Sequence, residues 1–155
     1  MTFAIRGLDP APFRPLFEMS DAQLAARNAL RRFADDCPGF PCRVSLEDAD
    51  LGEEVVLLHF AHHPVDTPYR ESGPIYVRRS ARRFSAVDTV PPALVRRLLS
   101  VRGYDAAGLM KFGDVVEGVA LGERIGRAFE EAGLSYLQVH YARTGCFACR
   151  VERAG

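Results

Sequence analysis

Polar and apolar positions alternate most cleanly near the C-terminus, across Ser135 to Glu152 (SYLQVHYARTGCFACRVE). Two runs rich in aromatic and β-branched residues flank Arg143-Thr144-Gly145, which reads as a three-residue hairpin loop with glycine at the position needing positive φ. In that register Ala142 pairs with Cys146, Tyr141 with Phe147, Val139 with Cys149 and Leu137 with Val151, an apolar ladder on one side of the ribbon. The other side carries Tyr136, Gln138, His140, Cys146, Ala148, Arg150 and Glu152. A two-residue loop would set Val139 against Arg150 and mix both faces, so the three-residue loop is preferred.

The same reading applied from the N-terminus predicts a short edge strand over Phe3 to Leu8, then irregular chain through Pro10, Pro12 and Pro15. Ser20 and Gln23 form a capping box, with Met19 and Leu24 as a hydrophobic staple. They open a helix whose buried stripe runs Ala22, Ala26, Ala29, Leu30, Phe33. Cys37 to Cys42 is a turn into a strand from Cys42 to Glu47. Val55 to Phe60 is apolar on both faces, as expected of a covered central strand. His62 to Pro74 reads as a long ordered loop, and Ile75 to Arg78 as a strand. Asp88 or Thr89 caps a short helix beginning at Pro91-Pro92. Val101 to Tyr104 and Leu109 to Phe112 flank a second hairpin turn, and a third helix spans about Ala120 to Ala132 and stops at Gly133. Three helices packed on one side of a mixed or mainly antiparallel sheet, in a single α+β domain spanning residues 1–155, is the predicted fold class.

Composition narrows the function classes. The chain has 155 residues, with twenty basic and twenty acidic side chains and zero formal net charge. That removes the general electrostatic reason to expect nucleic acid or an anionic membrane as partner. Arg78 to Arg83 is basic but has no interleaved aromatic platform, so it reads as a solvated edge. No apolar run reaches the ~20 residues that cross a bilayer, and the first residues lack a signal-peptide core, so a cytoplasmic location is expected. There the four cysteines, Cys37, Cys42, Cys146 and Cys149, are expected as thiols, metal ligands or redox groups rather than permanent disulfides.

Two stretches concentrate chemistry. Cys146 and His140 fall on one face of the hairpin, an arrangement in which an imidazole activates a thiol nucleophile; they are the candidate catalytic pair, although a lone histidine on a strand is more often structural. Arg150 on that face offers a planar fork for a carboxylate or phosphate. The proline-punctuated loop holds His62, Asp66, Tyr69 and Arg70, the candidate ligand-binding groups. His59, inside an apolar strand, reads as a satisfied core histidine. No metal-ligand set is assigned: a four-cysteine zinc site is a third reading only, because Cys146 and Cys149 point to opposite faces of a strand and Cys42 and Cys149 fall on apolar faces.

Three stretches, FAIRGLDPAPFRPLF, PGFPCRVSLEDADLGEEVVLLHFAHHPVDTPYRESGPIYVR and YLQVHYARTGCFACRVER, resemble a bacterial family of small proteins catalogued as domain of unknown function 1203. The resemblance runs nearly end to end and implies a bacterial soluble protein, with no activity, cofactor or catalytic residue attached. The leading expectation is a small-molecule-binding or catalytic domain whose site lies between the loop and the polar face of the C-terminal hairpin (135–152). The alternative is a non-catalytic interaction module, a homodimer through an exposed edge strand.

Overall fold

Alternation in the C-terminal hairpin works as expected for most of its length, and the rest of the chain packs on its two faces. A computed structural model describes residues 2–155. In chain order the elements are β1 (Phe3–Arg6), α1 (Asp21–Ala25), β2 (Leu30–Phe33), β3 (Glu54–His63), β4 (Glu71–Arg78), β5 (Ser85–Val87), α2 (Pro92–Val95), β6 (Leu98–Tyr104), β7 (Met110–Glu117), α3 (Leu121–Ala128), β8 (Tyr136–Tyr141) and β9 (Phe147–Arg153). Six strands form one antiparallel sheet in the order β5-β1-β9-β8-β6-β7, and β2-β3-β4 form a second antiparallel sheet.

The apolar ladder faces the helices. Leu99, Val101, Leu137, Val139, Tyr141, Cys149 and Val151 bury against Leu94, Leu121, Ile125 and Phe129. The opposite side of the ribbon is covered by the second sheet. There Val56, Ile75 and Val77 pack with Phe13, Leu16, Phe17, Leu24 and, from β9, Phe147. Every residue of β8 is therefore buried. Among the described residues no helix is long and apolar enough to cross a membrane.

The α+β class and the antiparallel pairing agree with the expectation; the layering does not. The helices are short, and a second sheet, not helices alone, completes the core. The capping box at Ser20 forms, with Ser20 Oγ accepting from Gln23 N–H and Gln23 Oε1 accepting from Ser20 N–H. The helix nevertheless ends after Ala25, because Asn28 takes φ 56° and the chain turns back. Leu30–Phe33 becomes an edge strand paired with Glu54–Leu57, and Leu30 and Phe33, expected on a buried helix face, are 53% and 60% exposed. The strand expected over Cys42 to Glu47 is instead a tight turn. Leu46 sits at φ 54°, and only the isolated bridges Pro41↔Asp48 and Cys42↔Tyr76 form. Burying Leu46 and Val44 in different clusters overrides their alternation. The long loop shrinks to residues 64–70, because β3 and β4 extend toward each other past a bulge between Phe60 and His63.

This turn also runs against β1. A Cβ on Gly7 would lie 1.8 Å from Val44 O, whereas nothing lies within 4 Å of a Cβ on Gly113. Gly7→Ala is expected to destabilise the protein by about 1–3 kcal/mol or more, with Gly113→Ala within about 0.5 kcal/mol of the parent. Urea unfolding of the two variants checks this, and equal midpoints would contradict the packing described.

Candidate functional site

The polar side of β8 meets the end of the β3–β4 hairpin, and the side chains there are selected by burial. Gln138 and His140 are buried to 1% and 0% exposure, so each polar atom needs a partner. Gln138 Nε2 donates to the His62 carbonyl at 2.8 Å, which fixes the amide orientation and leaves Oε1 as the acceptor. That oxygen lies 3.1 Å from His62 Nδ1 and 3.2 Å from His140 Nε2. His140 Nδ1 faces the Gly145 carbonyl at 3.0 Å, and His62 Nε2 faces Glu71 Oε1 at 3.2 Å. Both imidazoles thus have an acceptor at each nitrogen.

A neutral imidazole carries one N–H. Burial keeps both rings neutral near pH 7: it pushes the His140 pKa down to about 4, against a smaller upward effect of the Gly145 carbonyl, and it lowers that of His62. With Nδ1–H of each ring donating, to Gly145 O and to Gln138 Oε1, the Nε2 lone pairs of His140 and His62 point at oxygen lone pairs. These contacts are repulsive unless a cation lies between them.

The same groups have a metal-binding arrangement. One ligand atom each from His62, Glu71 and His140 lies within 4.8 Å of the others. Two imidazoles and a carboxylate form a donor set suited to zinc and to other divalent first-row ions. Holding the far N–H of each histidine on a carbonyl oxygen, as Gly145 and Gln138 do, is how proteins orient such ligands. Arg102 Nη1 donates to both Glu71 oxygens at 3.0 and 3.2 Å and steadies the carboxylate. The rings are fixed by stacking: His62 lies parallel to Phe147 with centroids 4.9 Å apart, and His140 meets the same ring edge-on at 5.8 Å. Glu71 remains 43% exposed, so the site opens to solvent on its side.

Beside it His63, also buried, is fully satisfied. Its Nδ1–H donates to the Tyr69 carbonyl at 2.7 Å and its Nε2 accepts from the Tyr136 hydroxyl at 2.6 Å. Tyr104 stacks on Tyr136, and the Arg150 guanidinium lies 3.9 Å from the Tyr136 ring centroid.

Of the residues singled out in the sequence, His62 and His140 are brought together. Tyr69 contributes its carbonyl, with its ring edge-on to Tyr104 at 6.5 Å. Asp66 and Arg70 pair with each other at 3.3 Å on the exposed loop, and Arg150 pairs with Glu152 at 2.7 Å. Cys146 lies apart from His140. A bulge at Ala148 follows the Val139↔Cys149 pair, so His140 pairs with Phe147 and Tyr141 N–H bonds to Cys146 O at 2.8 Å. One extra residue moves Cys146 to the opposite side of the ribbon from His140. The four sulfurs also do not converge: Cys42 and Cys149 are buried in different clusters and Cys37 is exposed. Burial pushes the Cys149 thiol up to about 12.

Glu71, Gln138 and Arg102 went unassigned in the sequence. Gln138 was on the predicted polar face, and Glu71 lies across the β3–β4 hairpin from His62. Their relation required the register of two hairpins at once. His59, expected in a core, instead bonds Ser72 Oγ at 2.8 Å on an exposed face.

The model of one protein family, described as protein of unknown function (DUF1203), matches residues 39–153. No curated protein and no solved structure matches the chain.

Because the folded His140 titrates below its ordinary value, the unfolded chain takes up a proton first as pH falls. Stability from this group is complete above about pH 6.5 and is lost as pH falls toward 4, by about 3 kcal/mol in all. In metal-free protein, His140→Gln is expected to flatten that part of the stability profile between pH 7 and 4. Parallel profiles for the two proteins would contradict the burial argument.

Proposed function

This chain belongs to the DUF1203 family, and from its site we propose that it binds a divalent transition-metal ion, zinc or a close analogue, through His62, Glu71 and His140. The ion is the working part of a small-molecule-binding or catalytic site between the β3–β4 loop and the C-terminal hairpin. The observation that carries this reading is the pair of buried Nε2 lone pairs facing oxygen acceptors. A cation coordinated by both nitrogens and the Glu71 carboxylate turns the His62–Glu71 contact into two bonds and engages the His140 Nε2 lone pair that otherwise faces the Gln138 oxygen.

Three protein ligands leave a tetrahedral ion one position for water or a substrate oxygen. Glu71, the solvent-facing ligand, marks the direction from which such a molecule arrives. An ion there would polarise a bound carbonyl or lower the pKa of a bound water. Arg102, held on Glu71, would sit beside a bound anion, and Tyr69 and Arg70 on the adjacent loop would border the entrance. The bacterial, cytoplasmic setting read from the sequence belongs to this proposal, since it keeps the four thiols reduced.

Protein purified without chelator or added metal is expected to carry about one ion per chain by elemental mass spectrometry. After chelation, Zn²⁺ or Co²⁺ should raise the melting temperature; His62→Ala and His140→Ala should abolish this rise. Gln138→Ala, which removes the acceptor orienting the imidazoles together with the bond to the His62 carbonyl but no proposed ligand, should weaken affinity by about 10–100-fold. Metal-free protein whose melting temperature is unmoved by Zn²⁺, Co²⁺ or Mn²⁺ would overturn the proposal.

A further inference from the structure

The bulge that separates Cys146 from His140 places the cysteine in the wall of a cavity on the other side of the hairpin. This cavity, of about 230 Å³, has Arg43, Arg97, Tyr141, Arg143 and Cys146 in its lining. None of the His62, Glu71 and His140 side chains reaches it, so it is independent of the metal reading.

Its electrostatics are unbalanced. Arg43 is 3% exposed. Its Nε donates to the Phe147 carbonyl at 2.7 Å and its Nη1 to the Pro41 carbonyl at 2.5 Å. Those two bonds orient the guanidinium but neutralise no charge. Among the described residues Arg43 has no carboxylate within ion-pair distance and its Nη2 donates to nothing. A buried charge without a counter-charge is one of the least tolerated arrangements in a folded protein. Arg97, the second guanidinium of the wall, is matched by Asp48 through two bonds of 2.9 and 2.6 Å. The third, Arg143, is exposed at the rim and forms no ion pair among the described residues. Arg43 and Arg97 both lie over the Tyr141 ring, at 5.0 and 5.2 Å from its centroid. The Tyr141 hydroxyl is itself buried and has no hydrogen-bond partner among the described residues. The cavity thus holds two cations in excess, one of them buried and pre-oriented, beside an apolar wall of Pro41, Tyr76 and Leu98.

We propose that this cavity binds a small organic anion, with a carboxylate or phosphate group held by Arg43 Nη2 and Arg143 and an apolar body resting on Tyr76 and Leu98. A volume below the ~300–1,000 Å³ of drug-sized pockets restricts the ligand to a compact one. A guanidinium fork suits either oxyanion, and burial strengthens the pairing that it makes.

Cys146, partly exposed in the wall, provides a built-in reporter. In a Cys37→Ser variant it is the one thiol that is not buried, so its alkylation reads occupancy of the cavity. Benzoate and phenyl phosphate are the charged probes and benzamide the neutral isostere of the first. At least one of the two anions is expected to slow alkylation several-fold and to raise the melting temperature, and benzamide to do neither. Protection by benzoate alone assigns the site to carboxylates, and by phenyl phosphate alone to phosphates. Arg43→Gln removes the buried cation but also two structural bonds; Arg143→Gln, at the exposed rim, removes charge without that risk and should weaken protection. Alkylation unaffected by either anion, equal protection by benzamide, or protection undiminished in Arg143→Gln would each overturn the proposal.

Discussion

Burial of β8 on both faces is the constraint on which the rest of the structure depends. A strand at the middle of a six-stranded sheet has its backbone groups paired on both edges, so its side chains decide what each face must meet. Leu137, Val139 and Tyr141 require apolar cover and receive it from the short helices α2 and α3. Tyr136, Gln138 and His140 cannot be buried against hydrocarbon without partners. The β3–β4 hairpin supplies two of them, His63 for Tyr136 and the backbone and ring of His62 for Gln138, while His140 is met by the Gln138 side-chain oxygen and the Gly145 carbonyl. The second sheet is therefore held to the first by a shared apolar cluster around Phe147 and by a polar network whose members are too buried to be left unpaired.

That network is satisfied for His63 and incomplete for His62 and His140, and the contrast between the neighbours is what the proposed metal site rests on. His63 has a carbonyl at one nitrogen and a hydroxyl at the other, a pairing that a neutral ring completes without help. His62 and His140 have only acceptors. Local arrangements that fall short of the rules the rest of a fold obeys are where function is expected, because the missing partner is a ligand. The cavity beside Arg43 follows the same logic with the sign reversed: a buried cation lacks its anion. In both places the proposed occupant is the charge that balances the site.

Much of this was legible in the sequence where the signal is local. Strict alternation gave the C-terminal hairpin and its apolar ladder from Leu137↔Val151 to Val139↔Cys149, and the double-sided apolar run located β3 as the central strand of its sheet, although the side carrying His59 is exposed and not covered as expected. The loop and the polar hairpin face were identified as facing surfaces, with His62 and His140 among their chemistry. What was hidden is non-local. Leu30–Phe33 reads equally well as the end of a helix, and only its pairing with β3 and the positive φ of Asn28 decide otherwise. The bulge leaves no mark, since Ala148 suits either face, yet it separates Cys146 from His140 and dissolves the pair that spacing had suggested. Glu71 acquires meaning only when β3 and β4 are in register and that hairpin is laid on β8.

The most direct test of the central claim is nitrogen-15 NMR of the His62 and His140 side chains in metal-free and Zn²⁺-loaded protein at pH 7. The account predicts neutral rings protonated at Nδ1 in the metal-free state, with the Nε2 resonances of both shifting on loading while Nδ1–H persists. Doubly protonated rings in the metal-free protein, unchanged by Zn²⁺, would show that protons satisfy the acceptors and would contradict the metal site.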